Sequence, residues 1–402
     1  MKEIQSIQSV DVTNKKVIVR ADLNLPIAHG KIMDLSRITR TLPTLLYLIE
    51  NNAKIILLSH YGRPQGKFVL RMSLSPVVDQ LSKMLDKDIS FAMDIFSQST
   101  KNKIDNLNPG EIILLENLRF YPEEENNDQV FSEKLASLGD IYINEAFACS
   151  HRSHASISSL PKLLPSYAGM LLQEEITNLN RYLKSPAKKV MSIVGGSKVS
   201  SKINLLTALA EKSDYLVIGG AMANTFLKAK GHSIGNSTFD EEYLEFSLNL
   251  LNQSHKQNCQ IILPHDIVTA KSLNNHSQCN VYEINDIPND ETIFDIGPSS
   301  TVDIMNKMEE SKTLIWNGPL GAFENSNFSA GTTMVSRKAA KLTASGKLIS
   351  IVGGGDTVAA ISEFEHQFTY ASTGGGAFLE WLEGNKLPGL EALHQNVIQH
   401  AS

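Results

Sequence analysis

Nine arginines are spread unevenly along the 402 residues. Arg20, Arg37, Arg40, Arg63, Arg71, Arg119, Arg152 and Arg181 lie in the first half, and only Arg337 lies in the second. Arginine presents a planar fork that grips a carboxylate or phosphate with two bonds at once. The asymmetry therefore points to a small-anion site in the first half, with Arg40, Arg71 and Arg181 read as surface residues. The second half has a different vocabulary of glycine turns and lysines. Leu348 to Val352 is an apolar run, followed by Gly353, Gly354 and Gly355, then Asp356 and Thr357, which are expected to cap a helix starting at Val358. A strand, a glycine turn and a bare helix N-terminus make an anion site, because free N–H groups and the positive dipole end converge. Asp356 is placed to hold Mg²⁺ against phosphate oxygens. Gly195 and Gly196 precede Lys198 and Lys202, which are expected to lie four apart on one helix face and reach one phosphate tail.

Strands must deliver these groups. In the first half, Lys16–Ala21 ends at Asp22 and Asn24, and Ala53–Leu58 ends at Ser59, His60 and Arg63. Glu111–Leu115 ends at Glu116, Asn117 and Arg119, and Asp140–Ile143 ends at Asn144, Glu145, His151 and Arg152. Between the first two, Asp34 is expected to cap a helix carrying apolar residues at Leu35, Ile38, Leu42, Leu45 and Ile49, with Arg37 in its first turn off the apolar stripe. Pro43 should kink or restart it. In the second half Val190–Val194, Tyr215–Ile218, Gln260–Leu263, Thr292–Ile296, Thr313–Trp316 and Phe368–Thr373 each run into glycine or proline, among them Gly219, Asn317–Pro319 and Gly374–Gly376. Glycines after strand upon strand fit close backbone approach to a nucleotide. Strand, polar residues and helix in repetition predict parallel sheets covered by helices on both faces, with ligands beyond the strands' carboxyl ends.

The chain is too long for one core, so two domains are expected. Gln173–Lys184, a polar helix ending before Pro186, is the natural connector. A net charge of −6 argues against nucleic acid or anionic membrane as the main partner. No apolar run has membrane-spanning length, and MKEIQSIQSV has no signal-peptide core. Cys149, Cys259 and Cys279 are too widely spaced for a zinc knuckle or disulfide framework, which makes a reducing cytoplasm the default. His151, His154 and Cys149 lack a strong further ligand, so anion binding by His151 beside Arg152 is preferred to a metal. There is no G-x-x-x-x-G-K-[ST] loop, no protein-kinase catalytic loop and no G-x-G-x-x-G fingerprint, which disfavours a dehydrogenase.

The segments VIVRADLNLP, LLSHYGRPQGK, LLENLRFYPEEE, INEAFACSHRSHAS, GGSKVSSKINLL, DIGPSS, WNGPLGAFE, SIVGGGDT and STGGGAFLEWLEG resemble the phosphoglycerate kinase family over nearly the whole chain. The resemblance implies two Rossmann-like domains joined by a helical hinge: 1–172 with 390–402 folding back, a hinge helix over 173–187, and a nucleotide domain over 188–389. It implies a cytoplasmic monomer that transfers a phosphoryl group between 1,3-bisphosphoglycerate and ADP, with Mg²⁺, giving 3-phosphoglycerate and ATP by hinge-bending closure. Asp22, Asn24, Arg37, His60, Arg63, Arg119 and Arg152 would then bind phosphoglycerate. Lys198, Lys202, Gly219, Asn317, Pro319, Glu324, Gly354, Gly355, Asp356 and Thr357 would serve the nucleotide, with Asp356 on the metal. Arg37, Lys198, Gly355 and Gly375 would act on the transferring group. Three departures stand beside these positions: Glu145 where the family usually has Asp, Ala148 and Cys149 in place of Gly-Thr, and Ser197 in place of Ala.

Overall fold

The computed structural model describes residues 4–28, 31–274 and 278–399. The chain divides into two compact units, Met1–Thr177 with Lys386–Ser402, and Asn178–Asn385. The first unit is built on strands β1 (Lys16–Ala21), β2 (Lys54–Leu58), β3 (Ile89–Ala92), β4 (Ile112–Leu115), β5 (Ile141–Glu145) and β6 (Ser166–Ala168). They lie in the order β3-β4-β2-β1-β5-β6, and every pairing is parallel. Branched apolar runs such as IILL in β4 are buried along their length, as a sheet covered on both faces requires. Alternate residues Val17, Val19, Ile55, Leu57, Ile112 and Leu114 join one core cluster. Because β1 is central, with β2 on one side and β5 on the other, the loops after β1, β2 and β5 open beside one another at the carboxyl edge.

Helix α1 (Ser36–Glu50) packs Ile38, Leu45 and Leu48 into the same core. Asp34 supports its start by accepting from the Ser36 N–H at 2.8 Å. Contrary to the sequence expectation, Pro43 does not restart the helix. Pro43 lies on the exposed side together with Thr39, whose carbonyl loses its helical partner where solvent can reach it. Helix α2 (Met170–Leu183) begins ahead of the expected Gln173, and the boundary between the units falls inside it. Glu145 explains the early start. Its Oε1 accepts from Leu171 N–H (3.1 Å) and the Thr44 hydroxyl (2.5 Å), and its Oε2 from Leu172 N–H (3.5 Å). A carboxylate in that place satisfies first-turn donors that have no partner in the helix.

The second unit carries β7 (Val190–Val194), β8 (Tyr215–Ile218), β9 (Gln260–Ile262), β10 (Asp266–Ala270), β11 (Asn280–Glu283), β12 (Thr292–Ile296), β13 (Thr313–Asn317), β14 (Ile349–Gly353) and β15 (Tyr370–Ser372). A six-stranded parallel sheet runs β9-β8-β7-β13-β14-β15. Thr292–Ile296, read from sequence as one more strand of that kind, instead belongs to a separate antiparallel sheet, β11-β10-β12. That sheet escapes sequence reading because β11 is half exposed and alternating, while β10 pairs with β12 through an irregular register. Helices α3 (Ile203–Lys212), α4 (Gly355–Ala360) and α5 (Gly376–Leu382) follow β7, β14 and β15. The last helix, α6 (Pro388–Gln399), belongs to the first unit, where Gly389 N–H bonds to the Ser150 carbonyl at 2.9 Å. Of the expected fold-back segment Val397–Ser402, residues 400–402 lie outside the described residues.

Candidate functional sites in the two units

In the first unit, the loops after β1, β2, β4 and β5 bring most of the expected residues together. Asp22 pairs with Arg37 of α1, and its other oxygen lies 4.0 Å from His60 Nδ1. Asn24 Oδ1 accepts from Gly62 N–H at 2.9 Å. Arg119 donates from Nη1 to the Gly62 carbonyl at 2.7 Å. Its buried Nε has no hydrogen-bond partner, although Glu125 Oε1 stands 3.3 Å away as its counter-charge. Arg152 donates to His151 Nε2 at 3.3 Å. Arg63 is exposed in the loop after β2 and makes no hydrogen bond or ion pair with the described residues. Glu116 and Asn117, polar residues at the end of β4, turn inward as scaffolding. Asn117 accepts from Tyr61 and Arg119 N–H (both 3.1 Å) and donates to the carbonyls of Tyr61 (2.7 Å) and Met72 (2.9 Å), which ties the loops to one another.

The electrostatics suit an anion. Burial holds the His60 imidazole well below its ordinary pKa, and the charges of Arg20, Arg119, Arg152 and Arg37 push the same way. Burial and the same kind of cationic field lower His151, and bring His154 to about 3. Burial also lowers Arg119, with Arg152 adding repulsion. Guanidiniums this close without enough carboxylate to balance them leave a field that attracts a multiply charged anion.

His60, Asp22 and Cys149 offer a nitrogen, an oxygen and a sulfur within 4.8 Å of one another, the one such grouping among the described residues. The chemistry is wrong for a cation. Arg20 Nη2 already donates to His60 Nδ1 at 3.1 Å, and burial raises the Cys149 thiol to about 11, which keeps it protonated. The surrounding guanidiniums would repel a divalent ion.

Arg20, counted from sequence among the first-half arginines, has no place among the expected site residues. It is 1% exposed, lies within β1 and precedes the expected site residues, so nothing in its local pattern separates it from a core position.

The second unit builds its candidate site from backbone. Asn317 closes the ends of three adjacent strands: its carbonyl accepts from Gly195 N–H (2.9 Å) and its amide donates to the Gly353 carbonyl (2.6 Å). Here β7 and β13 pack so closely that a Cβ on Gly195 would stand 1.8 Å from the Pro319 carbonyl oxygen. Thr357 does not cap α4 as expected. Gly354, at φ +98°, is the N-cap, while the Thr357 hydroxyl accepts from Gly318 N–H (2.6 Å) and donates to the Gly353 carbonyl (2.9 Å). The helix therefore opens at Gly355, ahead of the expected Val358, because a left-handed glycine turns the chain sooner than a side-chain cap would.

Lys198 and Lys202 do not share a helix face. The Gly-Gly-Ser run continues as a loop, Lys202 is the residue before α3, and Lys198 is exposed in the loop. Lys202 donates to the Gly195 carbonyl (2.7 Å) and Asn317 Oδ1 (2.6 Å), and burial lowers it to about 8. A cavity of about 250 Å³ opens beside these turns, with Gly220, Ile267, Phe294, Pro319, Glu324 and Asp356 on its walls. Glu324 and Asp356 are exposed. Gly219 is buried behind the wall, where a Cβ would meet the Leu320 side chain at 2.4 Å. Gly375 precedes α5 at φ +49°. The apolar wall residues Ile267 and Phe294 come from the antiparallel sheet and were not singled out from sequence. The cavity's apolar walls, bare amides and rim of exposed carboxylates suit a flat organic group with a charged tail.

Both the sequence and the fold match known proteins. A family profile, "Phosphoglycerate kinase", matches residues 7–385. The phosphoglycerate kinase of Agrobacterium fabrum is 46% identical over 385 residues, covering 95% of this chain and 96% of that protein. That of Wolbachia pipientis wMel is 46% identical over 397 residues, covering 98% and 99%. The solved phosphoglycerate kinase of Coxiella burnetii superposes with a TM-score of 0.87 at 40% identity, covering 98% of this chain and 99% of that one. The Pyrococcus horikoshii OT3 enzyme gives 0.85 at 28% identity, covering 98% and 100%. A match of this length and identity, on a chain whose guanidinium cluster and glycine-lined cavity stand at the carboxyl ends of two parallel sheets, means that the chain belongs to the phosphoglycerate kinase family.

Proposed function

We propose that the chain catalyses reversible phosphoryl transfer between 1,3-bisphosphoglycerate and ADP, giving 3-phosphoglycerate and ATP. The observation that carries this reading is the guanidinium cluster around Asp22 and His60 in the first unit, together with the backbone-lined cavity of the second. Phosphoglycerate would bind Asp22, Asn24, Arg37, His60, Arg63, Arg119 and Arg152. The nucleotide would bind in the cavity bounded by Pro319, Glu324 and Asp356, with Lys198, Lys202, Gly219, Asn317 and the Gly354–Thr357 turn serving its phosphates.

In the ATP-consuming direction the nucleophile is a carboxylate, ionised at neutral pH, so the reaction needs no general base. That agrees with a site whose histidines are held neutral. What remains is to align two anions and neutralise the moving group. Arg37 and Lys198 would bracket it, and the N–H groups of Gly355 and Gly375 would add donors. Asp356 suits Mg²⁺: it is an exposed carboxylate on the cavity wall, and among the described residues its oxygens have no hydrogen-bond partner. One carboxylate suffices where phosphate and water supply the other ligands. When bound, the ion would neutralise phosphate charge. Because the substrates bind to different units, hinge-bending closure must precede chemistry and keeps water from a hydrolysable acyl phosphate. The reading also makes the protein a cytoplasmic monomer. No helix among the described residues is long and apolar enough to cross a membrane.

A coupled assay with 3-phosphoglycerate and MgATP tests the reading. Turnover that requires both substrates is expected, and none from folded protein would overturn it. Solution scattering should show compaction only with both substrates present; equal radii in every liganded state would remove the closure step.

A further inference from the structure

Among the described residues, His60 is the one imidazole whose side chain lies against both Asp22 and a buried guanidinium, and its protonation decides what it offers a ligand. Arg20 Nη2 lies 3.1 Å from His60 Nδ1. A guanidinium has donors and no acceptor, so Nδ1 must be the accepting nitrogen and the ring proton must sit on Nε2. No other arrangement of a neutral ring satisfies this contact. Asp22 Oδ1, at 4.0 Å from Nδ1, is too far away to accept a proton from it. Cys149 Sγ lies at 4.0 Å on the same nitrogen, and a thiol there can only add a weak donor. Among the described residues Nε2 makes no hydrogen bond.

Arg20 is itself locked from behind. Its Nε donates to Ser156 Oγ at 2.9 Å. The Ser156 hydroxyl donates to Glu124 Oε1 at 2.6 Å, and Ser156 N–H donates to Oε2 at 2.9 Å. Tyr142 holds the Ser156 carbonyl at 2.7 Å. Glu124, Tyr142 and Ser156 are buried with Arg20, so the guanidinium has one pose. The charged groups facing His60 are Arg20 and Asp22 from β1 and its loop, Arg37 from α1, Arg119 from the loop after β4, and Cys149 and Arg152 from the loop after β5.

We propose that Arg20 is a positioning residue: through the Glu124–Ser156–Arg20 relay it fixes His60 as a neutral ring with its proton on Nε2, so that the site presents one oriented donor to the phosphoglycerate anion. This deepens the reading above and rests on it. Arg20 acts through His60 and does not itself contact the ligand.

The test starts with the unmodified protein. Nitrogen-15 spectra of His60 should show an unprotonated Nδ1 and a protonated Nε2, with no titration midpoint between pH 6 and 8. A proton on Nδ1, or a midpoint in that range, would overturn the proposal whether or not any variant folds. The Arg20→Gln/Glu124→Gln double variant removes both buried charges together. Its His60 ring should lose the single tautomer, with protonated Nδ1 appearing in the nitrogen-15 spectra while burial and the remaining arginines keep the ring neutral, and its KM for 3-phosphoglycerate should rise roughly tenfold, the scale of one charge-assisted hydrogen bond, with kcat within about threefold. On a His60→Ala background the same pair of changes should move KM less than about twofold, because Arg20 then has nothing to position. An undiminished effect there would show that Arg20 acts on the ligand directly and would sink the relay. If the double variant fails to fold, Ser156→Ala, which removes only the bridging hydroxyl, takes its place with the same expectations. Loss of turnover in the wild type would strike the proposed reaction and leave the spectroscopic result standing.

Discussion

The two units use the same parallel sheet in opposite ways. In the first, strands end in long charged side chains, and the candidate site is made of Arg37, His60, Arg119 and Arg152 held by ion pairs and loop carbonyls. In the second, strands end in glycine and asparagine, and the site is made of backbone: Gly195 against Pro319, and Gly318 against Thr357. The difference teaches where each unit is vulnerable. A side-chain site fails when a charge is removed and keeps its fold; a backbone site fails when a methyl is added, because the methyl has nowhere to go.

The largest expected effect sharpens the first half of that contrast. Arg37→Ala should lower kcat about 10³-fold, the scale of a guanidinium on a transferring phosphoryl, while thermal unfolding stays close to wild type. A change in kcat of less than tenfold would remove Arg37 from the transition state. The mirror experiment is Gly195→Ala, whose Cβ would meet a backbone oxygen at 1.8 Å. A destabilisation of about 3 kcal/mol or more is expected, from overpacking that backbone cannot relieve. An unfolding midpoint unchanged by Gly195→Ala would break the comparison outright.

Each unit also holds an acid that burial raises while helix-terminal N–H groups donate to it, and here the units should behave alike. Burial raises Glu145 from 4.5 to about 7 in the first unit, and Asp295, which accepts from Gly331 N–H, from 3.8 to about 7 in the second. A folded-state pKa above the unfolded value means that the folded chain holds protons the unfolded chain has released. The associated stability is therefore present at low pH and lost as pH rises from about 4 through 7, up to roughly 3 kcal/mol for Glu145 and roughly 4 kcal/mol for Asp295. Denaturant unfolding at pH 5 and pH 8 should show this slope, and Glu145→Gln and Asp295→Asn should each remove part of it. Equal slopes in wild type and both variants would show that neither carboxyl is held protonated.

The smallest effect is the most discriminating. Gly355 has open space around its Cβ position and no left-handed backbone. Gly355→Ala should shift stability by less than about 0.5 kcal/mol while raising the KM for nucleotide, because ligand and not protein fills that space. An unchanged KM would mean that the room at Gly355 is idle.

Much of this was legible in the sequence. Strands such as Lys16–Ala21, Val190–Val194 and Tyr215–Ile218 appear where their apolar runs lie, because a strand buried on both faces must be apolar along its whole length. The clustering of Asp22, Arg37, His60 and Arg119 followed from a single topological rule, that parallel strands present their carboxyl ends on one edge. Misreadings fell where one residue's role depends on another far away in sequence. Pro43 is harmless because its face of α1 is exposed, and Lys202 reaches Asn317 across a stacked turn and not along a helix. Thr357 bonds to Gly318 in preference to its own helix, and Glu145 reaches a helix start more than twenty residues on.

The sequence by itself determined the kind of sheet, the places where strands stop and the set of chemical groups released there, because burial and turn formation are local and leave periodic marks. Only the tertiary structure decided which members of that set touch. It placed Arg20 from β1 against His60 from the end of β2 and Cys149 from beyond β5, and it seated the antiparallel strands β10 and β12 against the cavity. Those choices depend on strand order and register. They bring together residues that share no local pattern, and no periodicity in the chain records them.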